Sequence, residues 1–256
     1  MRIHLPGYAR LTTPGAAGIV LEGCRTAIES IVAGQPLYDF AAAQPAARRF
    51  TGRAPVYAIT LSEECGDVVV RRSMRGGALA RLRTDLFFPP TRGLRELVTS
   101  LRLRRAGVQT PEMIGFIVYR VGPVFRRTDV VTREIKGGTD LASALRRTSD
   151  TEQRLALFEA SAQLVAMLSR AGAHHSDLNA RNILVTGIES AIPPQPQAYL
   201  LDVDRVRFHI PGDPVVLSAN IARLARSMRK LRDRGELKIE DSEIERLRAR
   251  VLELAA

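Results

Sequence analysis

An aspartate and an asparagine five residues apart could do chemistry together: Asp177 and Asn182, in the run His174-His175-Ser176-Asp177-Leu178-Asn179-Ala180-Arg181-Asn182. The run begins where an amphipathic stretch stops at Ala171-Gly172. It ends in Ile183-Leu184-Val185, an aliphatic, β-branched triplet that reads as a strand. On a loop between helix and strand, such an Asp can orient and deprotonate an attacking hydroxyl. The Asn amide oxygen can hold a magnesium ion beside nucleotide phosphates, so the pair suits phosphoryl transfer. Magnesium takes oxygen donors and keeps several waters, and a further anionic ligand is needed nearby. Leu200-Leu201-Asp202-Val203-Asp204 supplies one. A hairpin closed by the loop 187–197 would present Asp202 beside Asn182, with Asp204 as a second acidic ligand or an acceptor contact. The competing reading is a solvated polar turn followed by a surface Asp pair. The flanking apolar triplets count against it, because they put these carboxylates at strand ends.

Several elements must position this set. The clearest is a helix over 152–170, where Leu155, Phe158, Ala162, Val165 and Leu168 recur at helical spacing beneath the loop. Two more amphipathic helices follow Asp204. One carries Leu217, Ile221, Leu224, Met228 and Leu231 after the prolines at 211 and 214, and the last carries Ile244, Leu247, Val251 and Leu254. Asp140 reads as the N-cap of a short helix over Leu141–Arg147. Upstream, 56–61 pairs with 67–72 through a turn at 62–66, and 116–121 pairs with 128–135. A helix over 94–106 lies between the hairpins, with Leu94, Leu97, Leu101 and Val98 as its buried stripe. Near the start, 19–21 reads as a strand, Arg25–Val32 as a helix ended by Gly34, and the Ala-rich 41–49 as helical around Pro45.

These residues resemble the protein-kinase-like fold, whose catalytic loop reads His-Arg-Asp with Asn five residues after the Asp. The variant His175-Ser176-Asp177-Leu178-Asn179, with Asn rather than Lys two after the Asp, is similar to bacterial lipopolysaccharide kinases, and among them to 3-deoxy-D-manno-octulosonic acid (Kdo) kinases. Leu201-Asp202-Val203-Asp204-Arg205 resembles that family's Asp-Phe-Asp-Arg version of Asp-Phe-Gly. Val70-Arg71-Arg72-Ser73-Met74-Arg75-Gly76-Gly77 and Arg95-Glu96-Leu97 also match, so that the resemblance covers about 52–207.

The resemblance implies an α+β, bilobal kinase-like fold with a mostly antiparallel small-lobe sheet and a reduced helical large lobe. Residues 1–50 would be an N-terminal extension, 51–136 the nucleotide-binding lobe and 137–256 the catalytic lobe, turning at Gly137-Gly138. It implies ATP and Mg2+ as cofactors. Asp177 would activate the acceptor hydroxyl, and His175 would hold the loop or act as a base. Asn182, Asp202 and Asp204 would hold the metal. Arg71 would stand where the nucleotide-binding lysine usually does, paired with Glu96, while strand alternation turns Arg72 the other way. Arg133, Glu134 and Ile135 would meet adenine at the hinge. Thr51-Gly52-Arg53-Ala54-Pro55 stands where a phosphate-covering loop comes. It has one Gly instead of Gly-x-Gly-x-x-Gly, so Gly52 and Arg53 either approach phosphates or form an ordinary turn.

The formal charge of +11, nearly all from Arg, favours anionic partners: nucleotide phosphates, an anionic glycolipid or sugar acceptor, or an anionic membrane surface. Nucleic acid would suit the charge but not the intact acidic motif. Between 75 and 92, Phe87-Phe88 among Arg81, Arg83 and Arg92 would either meet an acyl chain or pack under the small lobe. Cys24 and Cys65 lie far apart without metal-like neighbours, and the expectation is a reducing compartment with no disulfide. No apolar run approaches the ~20 residues of a membrane span, which points to a cytoplasmic protein, at most peripheral on the inner membrane's cytoplasmic face. The chain after Asp204 leaves little room for a peptide-gripping lobe, so the expected acceptor is a small molecule or glycolipid, and the resemblance implies Kdo on a lipid A precursor. Its rivals are a heptose kinase, a small-molecule or antibiotic phosphotransferase, and a non-catalytic pseudokinase or nucleic-acid-binding scaffold.

Overall fold

Seven antiparallel strands form the larger sheet: β1 (Tyr8–Thr12), β2 (Ala16–Leu21), β3 (Arg48–Phe50), β4 (Val56–Ser62), β5 (Gly66–Arg72), β6 (Met113–Val121) and β7 (Phe125–Arg133). Their order is β1-β2-β6-β7-β5-β4-β3. This computed structural model describes residues 5–50, 54–74, 85–89, 91–187 and 195–256. Gly52, Arg53, Arg81 and Arg83 lie outside them. The chain divides into two units, one running to Val98 and including Glu112–Glu134, the other made of Thr99–Pro111 and Ile135–Ala256. The fold is α+β.

The N-terminal residues are part of the first unit's sheet. β1 and β2 pair onto β6, and β3 pairs onto β4. Two helices, α1 (Arg25–Val32) and α2 (Leu37–Ala43), add Ile28, Val32, Leu37 and Ala41 to a core with Val20, Val68, Val70 and Ile117. The helix expected around Pro45 instead ends before it. A proline forces the residue ahead of it out of helical geometry, and Gln44 is accordingly extended at φ −71° and ψ 126°. Strand alternation then sorts β5. Val68 and Val70 are buried on one face. Arg72 shares that face and meets α2, with Nη2 2.9 Å from Asp39 and the guanidinium 4.3 Å above the Tyr38 ring.

The expectation of unpaired cysteines is corrected: Cys24 and Cys65 form a disulfide, which removes the argument from cysteine usage for a reducing compartment. Cys24 follows β2 and Cys65 sits in the β4–β5 turn, and the sheet brings their Cα atoms to 5.1 Å. A separation of 41 residues in sequence carried no sign of this. Closing a loop of that length typically stabilises by about 2–4 kcal/mol. Replacing both cysteines with alanine is expected to lower the urea midpoint of the first unit accordingly, measured without reductant. An unchanged midpoint would show that the bridge contributes nothing to stability.

Between β5 and β6 runs α3 (Gly93–Arg105). Its buried side chains are Glu96, Leu97, Thr99, Ser100 and Leu103, whereas Val98, expected in the stripe, is exposed. Phe87 is buried and exchanges two backbone hydrogen bonds with Arg126, while Phe88 is exposed beside the Phe125 ring.

The second unit holds α4 (Leu141–Arg147), α5 (Thr151–Arg170), α6 (Pro214–Asp233) and α7 (Asp241–Ala255). Two small sheets accompany them: β8 (Thr139–Asp140) with β10 (Ile183–Thr186) and β11 (Gln197–Leu200), and β9 (Ala173–His175) with β12 (Val206–Phe208). Local chemistry starts each helix. Asp140 caps Ser143 N at 3.0 Å and Asp150 caps Gln153 N at 2.8 Å. Asp213 caps Val215 N ahead of α6, and Glu240 with Glu243 forms a capping box on α7. Leu157, Leu164, Val165 and Leu168 of α5 pack with Ile221, Leu224 and Met228 of α6 and Ile244, Leu247 and Val251 of α7. Leu155 was expected in that stripe but is exposed; the buried stripe runs through Leu157 instead. Gly172 ends α5 at φ +66°, and a Cβ there would come within 2.6 Å of the His209 carbonyl. Only glycine suits the junction that launches β9 into the Asp177 loop.

Candidate active site

The loop from His175 to Asn182 is held by its own side chains. His175 is fully buried. Its Nδ1 accepts from the Asp177 N–H at 3.1 Å, and Nε2 faces the Leu201 carbonyl at 3.3 Å. With Nδ1 accepting, Nε2 carries the proton and donates. Burial pushes this imidazole below its ordinary pKa, against the smaller raising effects of the Leu201 carbonyl and the Asp202 and Asp177 carboxylates. A neutral ring with both nitrogens on backbone groups is a loop holder and has no nitrogen left to act as a base.

The Asp177 carbonyl accepts from Asn179 Nδ2 and Asn182 Nδ2, both at 2.9 Å. Asn179 Oδ1 in turn accepts from Arg181 N at 3.0 Å and Asn182 N at 3.2 Å. Leu178 and Ala180 are buried anchors between these polar residues. Asn179 is therefore committed to the turn. Asn182 donates with its amide nitrogen, which leaves Oδ1 as the atom able to meet a cation.

The β10–β11 hairpin brings the second acidic segment alongside. Ile183 is opposite Leu200, and Leu201 N donates to Asn182 O at 2.8 Å, so that Asp202 is the next residue beyond a hydrogen bond to Asn182. Asp202 has φ 53° and ψ 46° and is the one non-glycine residue at positive φ among the described residues. Asp tolerates this region better than most residues, but the conformation still costs energy, and such outliers concentrate at functional sites. A 3-10 turn, Val203–Arg205, follows and carries Asp204, whose Oδ2 is 4.0 Å from Arg205 Nε. Ser176 Oγ donates to Arg205 O at 3.2 Å, tying the two acidic segments together.

A residue that sequence reasoning missed touches Asp177 directly. Arg223 Nη2 donates to Asp177 Oδ1 at 2.7 Å. It belongs to a polar stripe of α6 that grips the loop. Asn220 Oδ1 accepts from His175 N at 3.0 Å, and Ser227 Oγ accepts from Ala180 N at 3.3 Å. Spacings of three and four residues put all three on one helix face. The signal was present: Asn220 and Ser227 interrupt an otherwise apolar face beside Ile221, Leu224 and Met228.

In the first unit, Arg71 and Glu96 form the expected ion pair, with the Glu96 side chain 6% exposed and Arg71 27%. Arg72 is engaged elsewhere, with Nε 3.2 Å from the fully buried Asp129. Burial raises the Asp129 carboxyl above its usual range, opposed by the Tyr38 N–H and Arg72. Arg72→Ala would strand that carboxylate and is expected to cost about 3–5 kcal/mol of stability. Arg71→Ala should also destabilise, because Glu96 is buried too, but under the function proposed below it is the variant that in addition weakens nucleotide binding. Comparing the two by thermal unfolding and nucleotide titration checks the strand register; equal profiles would contradict it.

The proposed hinge side chains have structural partners. Arg133 meets Glu112 at 3.1 Å and donates to the Cys65 carbonyl, and Glu134 pairs with Arg48. The backbone N–H of Glu134 donates to Asp67 O at 3.0 Å, and Ile135 O accepts from Gly138 N at 3.2 Å.

The donor set fits magnesium. Asn182 Oδ1 and the Asp202 carboxylate are hard oxygen donors on one hairpin, and this ion usually takes one or two protein carboxylates and completes its shell with water and phosphate oxygens. No cluster of three His, Cys, Asp or Glu occurs among the described residues. No helix among them is long and apolar enough to cross a membrane.

Comparison with known proteins bears on the same residues. The model of the lipopolysaccharide kinase (Kdo/WaaP) family matches residues 48–249. A 3-deoxy-D-manno-octulosonic acid kinase of Xylella fastidiosa (strain M12) is 30% identical over 187 residues, covering 72% of this chain and 70% of that protein. The kinase of the same name from Stenotrophomonas maltophilia (strain R551-3) is 31% identical over 189 residues, with the same coverage. One from Vibrio vulnificus (strain YJ016) is 27% identical over 201 residues, covering 77% and 79%. A solved structure described as WaaP in complex with acyl carrier protein aligns at 16% identity and a TM-score of 0.48, over 90% of this chain and 97% of that one. With its acidic loop and hairpin in place and four-fifths of its length matched, this chain belongs to the lipopolysaccharide kinase (Kdo/WaaP) family, and it is a kinase.

Proposed function

We propose that the protein transfers the γ-phosphoryl group of ATP to a hydroxyl of Kdo in the lipopolysaccharide inner core, on a lipid A precursor. The observation that carries this is the loop itself. Its amide side chains hold the Asp177 carbonyl while the Asp177 side chain stays 29% exposed, and the hairpin sets a left-handed Asp202 just beyond the bond to Asn182. Asp177 would accept the hydroxyl proton as the acceptor oxygen bonds to phosphorus and the bond to the ADP oxygen breaks; the proton then leaves to solvent. A magnesium ion at this site would supply positive charge against the negative charge developing on the phosphate oxygens. Asn182 and Asp202 would hold it, with Asp204 as a second acidic ligand or acceptor contact. In the first unit, Arg71 held by Glu96 would neutralise nucleotide phosphates. Adenine contact at 133–135 would fall to backbone groups other than the Glu134 N–H and the Ile135 carbonyl, which are bonded within the fold. The net charge of +11 suits an anionic glycolipid met at a membrane surface, as a peripheral protein on the cytoplasmic face.

Initial rates with ATP, magnesium and three acceptors in parallel test this: a Kdo-bearing lipid A precursor, a heptose-containing core and an aminoglycoside. The Kdo acceptor is expected to give the highest kcat/KM. A preference for heptose would reassign the acceptor within the family, and a preference for the aminoglycoside would overturn the inner-core reading.

A further inference from the structure

Arg223 is bound to the carboxylate that the mechanism needs, and its placement has a consequence for which sugars are accepted. It makes no other hydrogen bond or ion pair among the described residues, and its side chain is 38% exposed. A guanidinium has five N–H donors in a planar fork, so one bond to Asp177 leaves a face for a second anion. The loop has no cation of its own in this role. Asn179 stands two after the Asp and is consumed by the turn, and Arg181 is paired with Glu236. The α6 backbone beneath Arg223 is pinned on both sides by Asn220 and Ser227, so that the guanidinium starts from a defined position.

We propose that Arg223 is the specificity-determining residue for an acidic sugar, its guanidinium bridging Asp177 and the carboxylate of the acceptor. This rests on the acceptor reading above. An acidic sugar must approach both a phosphate and the Asp177 carboxylate, and like charges at that range repel. A cation between the two carboxylates offsets the repulsion, and the fork sets the angle at which the hydroxyl reaches Asp177. A neutral sugar can offer that face only hydroxyl oxygens, whose hydrogen bonds to a guanidinium lack the charge assistance of a carboxylate.

The test uses the full chain, ATP, magnesium and two acceptors differing in one group: a Kdo-bearing lipid A precursor and its carboxyl methyl ester. Wild type is expected to favour the acid by about 10- to 100-fold in kcat/KM, in keeping with a charge-assisted hydrogen bond. Arg223→Gln should erase most of that ratio, raise the KM for the acid, and leave the KM for ATP unchanged. Arg223→Lys should restore part of the ratio, since an ammonium keeps the charge without the fork. A ratio unchanged in Arg223→Gln, with both rates reduced alike, would show that Arg223 only positions Asp177. A wild type that turns over acid and ester equally would overturn the proposal without any variant. If wild type phosphorylates neither while phosphorylating another acceptor, the Kdo reading itself fails, and this proposal with it.

Discussion

Asp177→Asn is expected to lower phosphorylation by about 10²- to 10⁴-fold, the range that a positioned acid-base group contributes. The substitution keeps size and shape and removes the negative charge that can take the hydroxyl proton. The hydrogen bonds that organise 175–182 use the Asp177 carbonyl and N–H, so an amide side chain leaves them intact. The Arg223 contact would weaken, because an amide oxygen is a poorer partner than a carboxylate. Nucleotide affinity should hardly change, since the proposed phosphate and metal ligands are other residues. Steady-state rates beside nucleotide-binding calorimetry read the two effects separately. Near-normal phosphorylation with normal nucleotide binding would remove the loop from the mechanism, and loss of folding would return Asp177 to a purely structural role.

Asp202→Asn should cost as much. Metal-assisted charge stabilisation at phosphoryl oxygens is worth several kcal/mol, on the order of 10³-fold or more in rate. Asparagine is the informative replacement because of the backbone. Asp202 sits at φ 53°, where Asn is tolerated and Ala is strained, so Asp202→Ala would mix lost charge with lost conformation. Asp202→Asn isolates the charge. Turnover should fall, and the magnesium concentration for half-maximal rate should rise. A magnesium titration that superimposes on wild type would rule Asp202 out as the metal ligand.

The sequence made legible what repeats or punctuates. Helical spacing located α5, α6 and α7; alternation located β4 and β5 and separated Arg71 from Arg72; Asp140 announced α4. The acidic loop and hairpin were readable because their chemistry demands particular residues at short spacing. What stayed hidden depended on distant pairing. The Cys24–Cys65 bridge joins turns from separate strand pairs, and Arg223 reaches Asp177 from 46 residues away. β1 has a buried Leu11 but too weak an alternation to be recognised alone, and its place is set by pairing with β2. No helix runs through Pro45 despite the alanines around it, because a proline forces the residue before it out of helical geometry. The left-handed Asp202 has no sequence signature, because the hairpin imposes that conformation.

The most direct measurement is mass spectrometry of a Kdo-bearing lipid A precursor after incubation with the protein, ATP and magnesium. The account predicts an acceptor carrying one added phosphate, placed on the Kdo ring by fragmentation, and no product when Asp177→Asn replaces wild type for the same time. An unmodified acceptor alongside protein that binds nucleotide, or equal product from Asp177→Asn, would contradict it.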